Sequence, residues 1–376
     1  MKFKFDQIAI NSTAKKKPVP EDAAHYIGLE HLEPGTFEIA NWGSDVAPVG
    51  EKLLMKKGDV LFGRRRAYQR KVGIAPFDGI FSAHGMVLRP KTEVVDARYF
   101  PFFISSDQFM NEAVRISVGS LSPTINWSTL KNCEFDLPPL DEQRKLADLL
   151  WAANNLKEKY KKAIAASDEM LKAKFREMFD LGRCVARPLW KCCGSPDDIK
   201  CGPFGTQLGY SEYCNDGVAV WEIPQVNSGC KEYPTRFVSV EKARQLKSYS
   251  VESGDLVMSR KGDVGKCALF PTWYEPGIIH SDVVRVRVDR SQLDPLFMLH
   301  QFHLNDAVRK QILDVSNGSI MKGINVGKLK EINVFVPPLA LQQQFVEIAR
   351  KADETKAALK KSIADVDNII KGLING

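Results

Sequence analysis

Between residues 345 and 373 apolar side chains return at alternating steps of four and three: Phe345, Ala349, Ala352, Leu359, Ile363, Val366, Ile370 and Leu373, with Lys356 filling the remaining step. A period of 3.5 keeps one stripe facing a partner helix, so this segment is predicted to be a long helix with a coiled-coil seam. The segment from Asp141 to Leu181 carries a more polar version at Leu146, Leu150, Ala153, Lys157, Tyr160, Ile164, Ser167, Leu171 and Lys174. Two helices of this kind would each reach roughly 45 to 60 Å at 1.5 Å per residue. Neither would hold alone in water, so they are expected to pair, antiparallel. Pro138-Pro139 and Pro337-Pro338 open them, and Gly182 and Gly372 are expected to close them.

The remaining sequence alternates at strand period in short runs, among them Asp59 to Phe62, Gly85 to Arg89, Glu134 to Leu137, Asp255 to Met258, Asp282 to Val288 and Ile332 to Val336. Glycine-rich turns separate them, and helical patches follow near 96 to 115 and 294 to 314. The class is therefore α+β: two α/β modules separated by two long antiparallel helices. The expected boundaries are 1–138 and 182–337 for the modules, with helices over 139–181 and 338–376.

The two modules are copies. Gly119, Ser120, Ile125, Asn126, Leu130, Pro138, Pro139, Leu140 and Gln143 reappear 199 residues later as Gly318, Ser319, Ile324, Asn325, Leu329, Pro337, Pro338, Leu339 and Gln342. So long a period marks a duplicated domain, not a solenoid unit, and predicts two modules related by a pseudo-twofold axis. Weaker echoes agree: Gly58-Asp59 with Arg64 matches Gly254-Asp255 with Arg260, and Tyr26-Ile27-Gly28-Leu29 matches Val220-Trp221-Glu222-Ile223.

Composition adds little beyond exclusions. The net charge of +7, from 53 basic and 46 acidic residues, hints at an anionic partner only where the charge clusters. No run approaches the roughly 18 apolar residues of a membrane span, and the lysine-led start lacks a signal-peptide core, so a cytoplasmic protein is expected. The eight cysteines have no C-x2-C pair and no zinc-site spacing, which favours reduced thiols and no metal. Cofactor loops of the G-x-G-x2-G type, H-E-x2-H and G-x-S-x-G are absent, as are an amino-methyltransferase signature and a spaced acidic nuclease cluster. The chain looks like a reader of other molecules and not an enzyme in itself.

Charge clusters in Arg64-Arg65-Arg66-Ala67-Tyr68-Gln69-Arg70-Lys71, five cations in eight residues. Arginine contacts phosphate and reaches both guanine acceptors at once, so Arg64, Arg65, Arg66, Tyr68, Arg70 and Lys71 are candidate DNA contacts. The matching stretch of the second module offers Ser259, Arg260, Lys261 and Lys266. Its Gly262-Asp263-Val264-Gly265-Lys266 is a hairpin turn and not a phosphate-binding loop, because the G-x4-G-K-[S/T] spacing is missing. A solvated basic hairpin is the bland reading of both. Ser120, and Ser319 with Lys322, sit in Gly-Ser turns that can hold a phosphate or merely lead into a strand. His84 and His280 stand near strand ends, and His84 is retained as a candidate base reader. Lys15-Lys16-Lys17 is a basic arm or a solvated loop. Leu149, Trp151, Met170, Phe175, Val346 and Ile348 lie off the seams and form either a partner-docking face or contacts with their own module.

Together, the Gly-Ser turn, the Ile-Asn entry, Pro-Pro-Leu-x2-Gln and the following helix, written twice, resemble the DNA specificity subunit of type I restriction-modification enzymes. Gly202-Pro203-Phe204-Gly205-Thr206-Gln207-Leu208 and Tyr26-Ile27-Gly28-Leu29-Glu30-His31 carry the same likeness, which spans essentially the whole chain. It implies that each module is a target recognition domain reading half of a split, asymmetric duplex DNA site, with the helices as spacer. It also implies two docked modification subunits that bind S-adenosylmethionine and methylate adenine, and separate motor-nuclease subunits. The first module departs from the pattern in lacking a clear G-P-F-G segment. A protein-interaction scaffold with duplicated heads is the competing reading.

Overall fold

The computed structural model describes residues 1–46, 48–179, 185–316 and 323–375. The chain divides into two compact units, one formed by 1–163 with 358–376 and the other by 164–357. Both boundaries fall inside a long helix, so each unit comprises one module with the helix segments packed on it.

In the first unit a four-stranded antiparallel sheet runs in the order Ala9–Ser12, Met86–Pro90, Val60–Phe62, Val72–Ile74. A second sheet joins Lys15–Lys16, Lys52–Met55, Gly79–Phe81 and Tyr26–Ile27, the last pair parallel. Val60, Phe62, Met86 and Leu88 face one core while Leu61 and Val87 face the other. These central strands are thus apolar on both faces, where strand-period alternation alone anticipates one wet face. Helices Phe100–Ser105 and Asp107–Arg115 cover one side. Their Phe103 and Phe109 join Phe5, Phe62 and Phe135 in a nest of rings 5.2 to 5.8 Å apart.

The second unit repeats this frame. Its antiparallel sheet is Ile199–Cys201, Val283–Val286, Leu256–Ser259, Cys267–Leu269. Val218–Trp221 pairs in parallel with Gly277–Ile279, so Val220 and Trp221 hold the same register as Tyr26 and Ile27 in the first unit. The units diverge after that strand: among the described residues the stretch to Lys52 folds the short turn Leu29–His31, whereas its counterpart folds the helices Ile223–Asn227 and Val240–Gln245.

Two polar devices explain the repeated residues. Gly58 and Gly254 adopt φ of +90° and +89°, the left-handed turn that favours glycine. The next residues, Asp59 and Asp255, take bidentate bonds from Arg89 (2.7 and 2.8 Å) and Arg287 (2.6 and 2.7 Å). The glutamines of Pro-Pro-Leu-x2-Gln are buried clamps. Gln143 accepts from Asp96 N (2.8 Å) and donates to the carbonyls of Val94 (3.1 Å) and Pro138 (2.8 Å). Gln342 does the same with Asp294 N (2.8 Å), Gln292 (2.9 Å) and Pro337 (2.7 Å). Each pins the first turn of a long helix to its own module.

The helices run Leu140–Met178 and Leu339–Asn375. Gly372 therefore lies inside the second helix instead of closing it, and Gly182 is outside the described residues. Within each unit the two helices lie antiparallel. Lys157 reaches Asp367 (2.8 Å) in the first unit and Lys356 reaches Asp168 (2.8 Å) in the second. A shift of 199 residues converts one ion pair into the other, so the lysines of the two seams do the same job.

Candidate nucleic-acid interface

In the first unit three segments converge at the end of strand Val60–Phe62. The Arg64 carbonyl accepts from Ile125 N (3.1 Å), Arg65 N donates to the His84 carbonyl (3.2 Å), and Arg66 N donates to the Pro123 carbonyl (2.7 Å). The basic loop, the His84 turn and the Gly119–Thr124 tip thus form one braced surface. Arg66 and Arg70 hold left-handed φ of 58° and 53°, uncommon for residues other than glycine.

The five cations do different things. Arg64 is half-buried and donates to the Ala83 carbonyl (3.2 Å), making it part of the frame. Arg70 pairs with Asp107 (2.6 Å), and Lys71 donates to the Leu29 carbonyl (2.7 Å). Arg65 and Arg66 both donate to Ser122 Oγ (3.0 and 3.3 Å) and, among the described residues, meet no carboxylate. Tyr68, 56% exposed, and Ser120 lie open on the same unit. Partial desolvation and the cations Arg65, Arg64 and Lys52 lower the pKa of His84, so the ring is held neutral near pH 7.

The second unit builds the same junction with less free charge. Arg260 N donates to Asp282 O (2.8 Å) and its carbonyl accepts from Ile324 N (2.9 Å). Its guanidinium lies 5.3 Å from the centre of the Phe204 ring. Lys261 pairs with Asp282 (2.8 Å), and Lys266 stands 3.8 Å from Asp263. Ser259 is a correction: it is fully buried and donates to Asn227 Oδ1 (3.1 Å), because the strand it ends is covered on both faces. Ser319 and Lys322 lie outside the described residues.

Phe204 and Ser122 carry no charge and lie outside the basic runs, so the sequence does not mark them as contacts, although Phe204 belongs to the G-P-F-G segment. Gly202 admits no side chain, since a Cβ there would sit 2.1 Å from the Ile279 carbonyl oxygen. The paired strands match Asn11 with Ile199 and Ser12 with Lys200, and counting on along the sequence puts Ala14 at the step of Gly202 and Lys15-Lys16-Lys17 at that of Pro-Phe-Gly. Lys15 and Lys16 are tied to Glu51 (3.8 Å) and Asp22 (2.9 Å), and Lys17 is exposed.

Of the proposed docking residues, Leu149 and Met170 are exposed at 56% and 53%. Phe175 and Val346 are not surface residues but core, at 2% and 4% exposure, and Phe175 packs on Phe297 and Phe345. Trp151 donates to the Arg98 carbonyl (2.9 Å) and packs on Phe37 and Phe102, and Ile348 packs against the same core as Phe175. Their own modules claim these side chains because each module covers helix positions beside the seam. Among the described residues no group of His, Cys, Asp or Glu could hold a metal ion, and no helix is long and apolar enough to cross a membrane.

Residues 15–166 and 205–367, one stretch around each of these junctions, match the family model of the type I restriction modification DNA specificity domain. The chain belongs to that family. Among curated relatives it is 21% identical to the MjaVIII specificity subunit of a type I restriction enzyme from Methanocaldococcus jannaschii, over 93% of this chain and 84% of that one. It is 23% identical to the EcoKI specificity subunit of Escherichia coli K12, over 88% of this chain and 74% of the other. The fold matches the crystal structure of the type I restriction-modification S subunit from M. genitalium, with TM-score 0.58, 14% identity and coverage of 100% and 94%. The chain is thus a specificity subunit of type I restriction-modification with two recognition domains.

Proposed function

We propose that the two junctions each read one half of an asymmetric, bipartite target in double-stranded DNA. One observation carries this reading: the same basic loop grows from the same Gly-Asp strand in both units, while the surrounding surface differs. Phosphate contacts from Arg65, Arg66, Tyr68 and Lys17 would set register, and a few side chains in each major groove would choose bases. In this reading the chain catalyses nothing. Two methyltransferase subunits dock on it near Leu149 and Met170, and they, not this chain, carry S-adenosylmethionine and methylate adenine. Restriction subunits complete the assembly. The duplication supports two half-sites in inverted orientation, with spacing governed by the helices.

The test is titration of the full chain onto duplex DNA over a range of salt. Arg66→Ala is expected to weaken binding and to reduce the slope of log K against log salt by about 0.9, one phosphate contact. Arg64→Ala is expected to lower thermal stability instead. An unchanged slope in an Arg65→Ala, Arg66→Ala double variant would remove this loop from the interface.

A further inference from the structure

The Gly-Ser tip of the first unit presents an apolar side chain beside Arg65 and Arg66, which meet no carboxylate among the described residues. Leu121 is 90% exposed and Val118 69%. A lone exposed leucine is ordinary, and on a loose loop it would carry no meaning. This turn is built. Val118 and Thr124 exchange backbone hydrogen bonds (3.1 and 2.9 Å), and Thr124 Oγ1 donates to the Ser122 carbonyl (3.0 Å). Gly119 takes φ of +112°, and Ser122 Oγ receives the guanidiniums of Arg65 (3.0 Å) and Arg66 (3.3 Å). The backbone that carries Leu121 is therefore braced before any ligand arrives, with positive charge at its base. The second copy of the motif has Ile320 at the same step, outside the described residues.

A cationic rim aimed at phosphates leaves one question: what apolar surface would such a tip meet? In the major groove of duplex DNA the apolar feature is the C5 methyl of thymine. We propose that Leu121 is a specificity-determining residue that contacts a thymine methyl in the half-site read by the first unit. This rests on the DNA-reading function proposed above. The pre-formed turn matters because ordering a flexible loop would offset the small gain from one methyl contact.

The test uses the complex purified from its host through a tag on the full chain, with a pool of randomised duplexes as probe. The wild-type protein is expected to enrich two half-sites. Leu121→Ala is expected to keep one of them intact, an internal control for folding, and to lose the preference for one A·T pair in the other. Replacing that thymine by deoxyuridine is expected to weaken wild-type binding roughly fourfold, the equilibrium equivalent of one buried methyl, and to leave Leu121→Ala unaffected. Identical enriched pools, or equal sensitivity of both proteins to deoxyuridine, would overturn the role of Leu121 and leave the DNA-reading function standing. A wild-type pool without any enriched half-site would overturn both.

Discussion

Residue identities that look like surface chemistry in the sequence divide into framework and interface once their partners are known. Gln342 is fully buried with its carboxamide satisfied at three points. Truncation would leave the Asp294 amide and two carbonyls without partners, so Gln342→Ala is expected to cost about 3 kcal/mol in urea unfolding. Gln342→Glu should be similarly damaging, since a carboxylate cannot donate to either carbonyl. His300 sets a second expectation. Burial pushes its pKa down to about 4, and among the described residues its Nε2 has no hydrogen-bond partner. The fold accepts the neutral ring, so its contribution is complete above the ordinary value near 6.5 and is lost as pH falls toward 4. The loss amounts to about 3 kcal/mol at most. Counting from Asp96 and Asp294, the first unit has Phe102 at this position. His300→Phe is therefore expected to flatten the acid limb of stability between pH 6.5 and 4 without loss at pH 8, measured by denaturant unfolding across pH.

At the level of elements, the two seam lysines are equivalent in position but not in support. Lys157, 5% exposed, is held by Asp367 and the Gly35 carbonyl (2.6 Å), whereas Lys356 has both Asp168 and Asp353 (2.8 Å each). The two hydrogen-bonded carboxylates offset the burial of Lys356 and hold its pKa above the usual value. Asp367→Ala should strand a buried cation and cost about 2 kcal/mol, while Asp168→Ala leaves Asp353 in place and should cost less than about 1 kcal/mol. Equal losses by chemical denaturation would show that Asp353 does not make up for the loss of Asp168.

The helices were legible in advance because a 3.5-residue period declares itself without tertiary context, and every seam position is buried or half-buried in both. The six strand runs named from alternation fall within a residue or two of observed strands, whereas shorter strands such as Val72–Ile74 and Gly79–Phe81 gave too few alternating positions to be placed. Their second buried face was not legible, since a run such as Leu256 to Ser259 reads alike whether one layer or two cover it. That is why Ser259 passed for a surface residue. Phe175 and Val346 passed for docking residues because the seam period does not reveal a module lying across the neighbouring stripe. Nor does a linear run of arginines tell which guanidinium is engaged by the fold; the Ala83 carbonyl and Asp107, both distant in sequence, decide that for Arg64 and Arg70.

On the scale of the whole molecule, one frame has been written twice and its surfaces have been set differently. Among the described residues the first unit leaves Arg65 and Arg66 without carboxylates, whereas the second neutralises Lys261 with Asp282 and stacks Arg260 on Phe204. Salt dependence should therefore reside mainly in the first unit, and aromatic contact in the second. Sequence readout by two such heads has one direct consequence in the host genome. Methylome sequencing of the host with and without this gene tests it most directly. The expected result is a methylated motif of two specified parts separated by an unspecified gap, lost entirely when the gene is deleted. A methylation pattern unchanged by the deletion, or one dependent on the gene but confined to a single contiguous motif, would contradict two heads reading one duplex.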